Sequence, residues 1–297
     1  MKPKVTIGVC VKNSAATLCE AIESIICQDF PHELMEVIFV DDGSHDETLP
    51  IIESYVPKMD MSVKVFHHEW RGLGPSRNLV VNEARGDYII WVDGDMVLPK
   101  DHVWKNVEFM ECSPTIGIGK ARPMIYSGKS LVGILENAVY VAAYFKYGKK
   151  ATSRTFGTGG SIYRVKAIRQ IGGFDVNIRG VGEDLDAEHR TREAGWLTYM
   201  GTPAMFYERP RRTLKDLWLE GFWHGYGGRH MFRKNKNALA LHEMTPMAGF
   251  LAGVWYSTIA YGLIRRKIVF LLPIQYTFKR LAWCLGFVKS QVDEFKR

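Results

Sequence analysis

Two clusters of closely spaced carboxylates mark the N-terminal third of the chain: Asp41-Asp42-Gly43-Ser44 and Asp93-Gly94-Asp95. Each follows a short apolar run, residues 36–40 and 88–92, rich in the β-branched and aromatic residues that favour strands. Two aspartates flanking a glycine on a tight turn can both reach one divalent cation, directly or through water. Few, hard oxygen ligands suit a Mg²⁺ or Mn²⁺ that also binds substrate phosphate. An isolated Asp-x-Asp suits a solvated turn equally well. The other cluster is harder to assign to solvation. An Asx-turn or helix cap accounts for Asp46, and Ser44 or Asp46 would cap the next helix. Two adjacent acids at a strand end repel each other and imply a partner, such as a nucleobase or ribose. Between the clusters lies Arg71-Gly72-Leu73-Gly74-Pro75-Ser76-Arg77-Asn78. Gly72 and Gly74 precede a helix whose N-terminus would face a diphosphate, with Arg77 pairing to it. The same pattern also fits an ordinary loop entering a helix with proline in its first turn.

These residues need a frame, and the apolar periodicity supplies one. Strands are expected at Val5–Val11, 36–40, 63–66 and 87–92, and helices at 15–27, 47–55 and 75–84. Such alternation implies βαβ units, hence an α/β fold with a mostly parallel sheet flanked by helices. In such sheets ligands sit beyond the carboxyl ends of strands, where both acidic clusters lie. Farther along, an apolar helix at 131–147 precedes Gly157-Thr158-Gly159-Gly160-Ser161. A helix at 183–194, a strand at 197–200 and an aromatic helix at 213–234 follow.

The order of these blocks resembles the inverting family-2 nucleotide-sugar glycosyltransferases, which have the Rossmann-like GT-A fold. The resemblance continues through Gly159-Gly160-Ser161-Ile162-Tyr163-Arg164, Ile171-Gly172-Gly173-Phe174-Asp175 and Gly182-Glu183-Asp184-Leu185-Asp186. It covers residues 4–235, and several collinear blocks carry more weight than any one. It implies a hexosyltransferase-type enzyme moving a sugar from a nucleotide-diphosphate donor to an acceptor hydroxyl with inversion. Asp41 or Asp42 would contact the base, and Asp93 and Asp95 would hold Mn²⁺ or Mg²⁺. Asp184, supported by Glu183, would be the catalytic base. The donor set would then comprise Asp41, Asp42, Gly74, Arg77, Asp93 and Arg229, with Trp223 and His224 on the acceptor side. Residues 1–120 would bind the donor, 121–235 the acceptor, and 236–297 would form an apolar, basic helical region.

Two departures from the family pattern are Lys12-Asn13 after the first strand and Trp223-His224-Gly225-Tyr226-Gly227-Gly228-Arg229-His230. Glu183 and Asp184 also suit the first turn of any helix, where acids complement the dipole. The pairs Asp186 with Arg190 and Glu188 with Arg192 read as solvated salt bridges. Trp218, Phe222, Trp223 and Tyr226 fit sugar stacking or plain core packing. Gly128-Lys129-Ser130 imitates a P-loop ending, but Pro123 stands where its first glycine belongs. Gly157-Thr158-Gly159-Gly160 lacks the spacing and preceding strand of a dinucleotide fingerprint.

Composition narrows the rest. The 297 residues carry a net charge of +7, yet residues 201–297 hold 16 Lys+Arg against 6 Asp+Glu. The preceding 200 residues are therefore net acidic, which argues against a nucleic-acid partner. Five cysteines with no Cys-x-x-Cys indicate neither a disulfide framework nor zinc. The N-terminal apolar run is too short for a signal peptide. Residues 247–264 carry no charge, and as a helix they would span about 27 Å against a hydrocarbon core of roughly 30 Å. Spanning once or twice would export basic residues against the positive-inside tendency. A helix pair lying in the cytoplasmic leaflet, peripheral or monotopic, keeps Arg265-Arg266-Lys267 near anionic headgroups and suggests a glycan or lipid-linked acceptor. A soluble core helix or an oligomer interface is the other use of such a stretch. Rival functions are a polyprenyl-phosphate glycosyltransferase, a nucleotidyltransferase and a non-catalytic membrane adaptor on the same scaffold.

Overall fold

The computed structural model describes residues 2–124, 130–147, 150–152, 157–178, 181–209, 213–234 and 241–295. Gly128-Lys129, the proposed boundary at 235–236, and the terminal Lys296 and Arg297 lie outside the described residues. Two compact units interleave along the chain: residues 1–124, 149–177 and 184–208 form one, and 125–148, 178–183 and 209–297 the other.

The first unit opens with β1 (Val5–Val11), α1 (Leu18–Ile26), β2 (Met35–Asp42), α2 (Thr48–Tyr55), β3 (Ser62–His68) and α3 (Leu73–Glu83). There follow β4 (Tyr88–Trp91), β5 (Met96–Val97), α4 (His102–Glu111) and β6 (Ile116–Pro123). Strand β1 sits between β2 and β4, parallel to both, with Val11 level with Asp41 and Gly8 level with Trp91. The two acidic clusters therefore emerge at one rim of the sheet. Gly8 is required for this packing: a Cβ there would lie 2.8 Å from the Trp91 ring and 2.9 Å from Val80. Val5, Ile7 and Val9 are fully buried on the face of β1 that meets Leu18, Ile22 and Ile25 of α1.

The chain then contributes α5 (Leu131–Tyr147), β7 (Lys150–Ala151), β8 (Ser161–Arg164), α6 (Val165–Gln170), α7 (Glu183–Glu193) and β9 (Leu197–Glu208). Strand β8 runs antiparallel between β4 and β6, pairing Ile90 with Ile162 and Lys120 with Ser161. Its first residue therefore stands at the rim where β4 ends. The sheet is mixed, in the order β3-β2-β1-β4-β8-β6-β9-β5, with β7 paired to β9. Strand β9 is longer than its sequence suggests, because Gly201 and Pro203 look like a break after Met200. A bulge in β9 absorbs them: pairing with β6 jumps from Lys120–Met200 to Arg122–Met205, and Gly201 in the bulge takes φ +94°.

The second unit contains α5, α8 (Leu214–Lys234), α9 (Pro246–Ile264) and α10 (Leu272–Phe295). Thr245 caps α9, its hydroxyl accepting from the Ala248 amide at 3.2 Å, and Pro246 takes the first turn. Glycines let the helices approach closely. A Cβ on Gly221 of α8 would lie 3.0 Å from the Lys279 carbonyl, and one on Gly249 of α9 would lie 2.6 Å from Arg280 Cγ. The glycine spacing in both helices thus serves contact with α10 inside the chain. Leu135, Ala138, Ala142, Ala260, Val269 and Leu272 form the apolar core of this unit.

Candidate active site

The rim of the first unit is built from four loop systems, and backbone hydrogen bonding explains how each is held. The loops after β1 and β2 are stitched together. Asn13, at φ +50°, accepts from the His45 amide at 2.9 Å, while its own amide donates to Ser44 Oγ at 2.9 Å. Asparagine tolerates this left-handed conformation better than most residues. Asp46 accepts from the Ala15 and Thr48 amides, both at 3.1 Å, so it binds the same two loops and starts α2.

The adjacent acids at the end of β2 have separate partners. Asp41, fully buried, accepts from Ser44 and meets His67 Nδ1 at 2.8 Å. Asp42 accepts from the Arg71 amide at 2.8 Å and the Gly72 amide at 3.0 Å, and it lies 3.4 Å from His68 Nδ1. Their mutual repulsion is thus met within the protein, and Asp42 fixes the turn that launches α3. Gly72 adopts φ +95° there. Gly74 packs against the Asp175 carbonyl, where a Cβ would approach to 3.1 Å. Trp70, 62% exposed, lies at this edge with the Lys12 ammonium 4.9 Å from its ring centroid.

Arg77 points inward from α3. Its guanidinium lies 5.7 Å from the Phe174 ring and 6.0 Å from the Trp91 ring, and Nη1 is 3.9 Å from Asp184 Oδ2. Asp184 stands in the first turn of α7, its side chain 13% exposed. Its Oδ1 accepts from the Leu185 amide at 2.8 Å and its Oδ2 from the Thr158 amide at 3.3 Å. Neighbouring Glu183 is buried and accepts from the Gly182 amide at 3.1 Å.

The residue 157–161 loop joins the two acidic positions. A Cβ on Gly157 would lie 3.2 Å from Asp184 Oδ2, and one on Gly159 would lie 2.6 Å from Asp93 Oδ2. Only glycine lets the backbone pass this close to both carboxylates. Asp93 begins a tight turn closed by the Met96 amide donating to its carbonyl at 3.0 Å. Asp93 and Asp95 are partly exposed. No group of three or more His, Cys, Asp or Glu among the described residues is arranged to hold a metal. Two hard carboxylates on one turn fit an ion that takes its other ligands from water and a diphosphate.

Two expectations change here. Glu188 acts electrostatically on Arg192, but it is not solvated: it is fully buried and accepts from the Gly157 amide at 2.7 Å. Asp186 does meet Arg190, at 2.7 Å, but as a buried carboxylate, and Arg190 also donates to the carbonyls of Ile171 and Gly173. The α7 charges therefore brace glycine turns. Sequence reasoning named Glu188 and Asn13 without their loop-bracing roles, and it missed Lys120. Lys120 lies on β6 with its ammonium donating to the Gly159 carbonyl and 5.2 Å from the Phe206 ring centroid. Its signal was one lysine inside the apolar, glycine-alternating run Ile116-Gly117-Ile118-Gly119.

Arg229, Trp223 and His224 belong to α8 in the second unit. Arg229 is 5.8 Å from the Phe287 ring, while Trp223 is exposed and its ring meets Phe222 and Tyr226 edge-on.

The model of glycosyl transferase family 2 matches residues 6–172, more than half of the chain, so the chain belongs to that family. The match includes the Asp41-Asp42 and Asp93–Asp95 clusters and ends before Asp184. Among relatives, the poly(ribitol-phosphate) beta-N-acetylglucosaminyltransferase TarS of Staphylococcus aureus is 32% identical over 108 residues, 36% of this chain and 19% of its own length. The cholesterol galactosyltransferase of Borreliella burgdorferi is 39% identical over 94 residues, 32% of this chain and 25% of its own. This chain thus matches only about a fifth to a quarter of those relatives. The putative glycosyltransferase EpsE of Bacillus subtilis is 28% identical over 209 residues, 70% of this chain and 73% of its own. In fold, the chain is similar to the mannosyltransferase PcManGT from Pyrobaculum calidifontis, solved with GDP-Man and Mn2+. That likeness has a TM-score of 0.68 at 19% identity and covers 99% of this chain and 88% of the other. The sheet and its flanking helices are those of the GT-A fold.

Proposed function

We propose that this chain is a metal-dependent, inverting glycosyltransferase that moves a sugar from a nucleotide-diphosphate donor to an acceptor hydroxyl. The supporting observation is the single glycine loop that runs from Asp93 to Asp184 along the rim. It sets a carboxylate suited to a metal–diphosphate complex beside a carboxylate suited to accept a proton. Asp41, held by Ser44 and His67, lines the nucleoside side. Gly74 and the turn fixed by Asp42 bring the start of α3 to the phosphates. Asp93 and Asp95 would hold a Mn²⁺ or Mg²⁺, which when bound supplies positive charge to the departing diphosphate.

Asp184 takes the proton of the acceptor hydroxyl as its oxygen bonds to the anomeric carbon and the diphosphate leaves. One such displacement inverts that carbon. Arg77 and the Thr158 and Leu185 amides hold the Asp184 carboxylate in place for the step. Arg229 is assigned to the diphosphate, Trp223 and His224 to the acceptor, and Glu183 to support of the base. The relatives' names show bacterial glycosyltransferases acting on varied acceptors, including a poly(ribitol-phosphate) and cholesterol. For this chain we favour a glycan or lipid-linked acceptor met at the cytoplasmic face of a membrane through α9 and α10. These two helices are long and apolar enough to cross a membrane by length and composition.

Hydrolysis of UDP-GlcNAc and GDP-mannose by the full chain, with and without Mn²⁺, tests the reading. Release of nucleotide diphosphate that depends on Mn²⁺ is expected. Binding of neither donor, with or without metal, would sink it.

A further inference from the structure

Lys120 is a half-buried cation in the middle of the proposed machinery, and the mechanism above gives it no task. Its ammonium donates to the carbonyl of Gly159, the residue whose Cα faces Asp93 Oδ2. The ammonium and the Asp93 carboxylate thus stand on two sides of one glycine. Burial lowers the lysine pKa, while the carboxylates of Glu208, Asp93, Glu188 and Asp184 all act to keep it charged. Those four acids come from the end of β9, the turn after β4 and two turns of α7. Arg77 meets Asp184 from the α3 side.

A charge so placed has two consequences. In the protein without nucleotide, it is the counter-ion that lets acids from three elements share one rim, since burying like charges together is otherwise costly. It also repels any second cation that approaches Asp93 and Asp95. A donor diphosphate brings negative charge to the same place and offsets that repulsion. We propose that Lys120 is a positioning residue that makes divalent-metal binding conditional on the donor diphosphate. This inference rests on the assignment of Asp93 and Asp95 to the metal. It adds an order of events: the diphosphate and the metal enter together, and free metal binds weakly.

The test is Mn²⁺ binding to the full chain, read by electron paramagnetic resonance, alone and with UDP or GDP. Lys120→Gln keeps an N–H donor for the Gly159 carbonyl and drops the charge; Lys120→Arg keeps the charge. The Gln variant should bind free Mn²⁺ about tenfold more tightly, the size expected for losing one nearby like charge in a partly shielded site. The nucleotide should then add less to its affinity, and the Arg variant should behave as wild type. Unchanged or weaker Mn²⁺ affinity in a folded Gln variant overturns the proposal. The wild type gives a reading that needs no variant to fold: equal Mn²⁺ affinity with and without nucleotide also overturns it. Asp93→Asn separates the two levels. If it leaves Mn²⁺ binding intact, the metal assignment fails and this inference with it; if it abolishes binding while Lys120→Gln has no effect, only the role of Lys120 fails.

Discussion

At the scale of single residues, the rim is governed by what each carboxylate accepts. Asp184 takes two amide hydrogens and faces Arg77, whereas Asp42 is committed to the Arg71 and Gly72 amides. Replacing Asp184 with Asn keeps the shape and removes the proton acceptor. Transfer should fall by about 10²–10⁴-fold while UDP or GDP affinity stays within a fewfold of wild type, measured by calorimetry alongside turnover. Near-normal turnover would remove Asp184 from the mechanism. Gly159→Ala probes the loop: its Cβ would fall 2.6 Å from Asp93 Oδ2, so Mn²⁺ affinity in the presence of nucleotide should drop. An affinity equal to wild type would mean that the loop yields without moving the carboxylate. The carboxylates of this site were readable in the sequence because acids at strand ends are rare and come in pairs. Lys120 and Glu188 were not, because each is a single charge whose meaning depends on strands and loops far away in the chain.

At the scale of elements, the parallel half of the sheet was visible as alternating strand and helix periods, and the ends of β2 and β4 located the acids. The antiparallel strand β8 was not, since its rim residue is its first and no apolar run precedes it. The full length of β9 was hidden by Gly201 and Pro203, which a bulge accommodates. One buried polar chain fastens that bulged strand. His102 of α4 donates from Nδ1 to the Met205 carbonyl at 2.6 Å and accepts at Nε2 from Asn106 at 3.0 Å, while Asn106 accepts from Thr202 at 2.8 Å. A proton on Nε2 would face the Asn106 amide donor, so the arrangement needs a neutral ring, the tautomer being assigned from these partners. Burial accordingly lowers the His102 pKa from 6.5 to about 4. The unfolded chain binds this proton near pH 6.5 and the folded one does not. The stabilisation is thus complete above that pH and is lost as pH falls through 4, by about 3 kcal/mol. Urea melts from pH 7 to 4 should show this loss, and His102→Gln should flatten it. An identical slope in that variant would exclude the histidine as its source.

At the scale of the whole molecule, the charge division is the main fact: the first 200 residues are net acidic and the remainder strongly basic. The apolar exposure falls in the same C-terminal region. Met247, Phe250, Leu251 and Trp255 of α9 are exposed, as are Ile274, Leu281, Leu285 and Val288 of α10. Arg265 ends α9 at φ +53° and starts the Arg265-Arg266-Lys267 turn between the helices. Exposed apolar side chains beside a basic turn match the surface of an anionic bilayer. Full-length protein should sediment with phosphatidylglycerol vesicles. Replacing Arg265, Arg266 and Lys267 with Glu should reduce that binding by about a hundredfold or more, at about 1 kcal/mol per base. Recovery of both proteins in the supernatant without detergent would show that this face has another purpose. Composition alone revealed the basic excess, but a helix of uncharged residues reads alike in a core or a membrane. The exposure along α9 and α10 is what the sequence did not carry.

The bracket formed by Asn13, Ser44, His45 and Asp46 carries a last consequence, for inheritance. Three bonds cross between the two loops, so replacing the side chain of Asn13, Ser44 or Asp46 strands a backbone amide on the other loop. At these positions a paired change therefore costs less than a single one. The exposed Trp70, whose ring faces the Lys12 ammonium, shares no bond with the bracket and so can be exchanged singly; replacing it with Ala or Arg and comparing UDP with GDP affinity tests whether it bears on the choice of base.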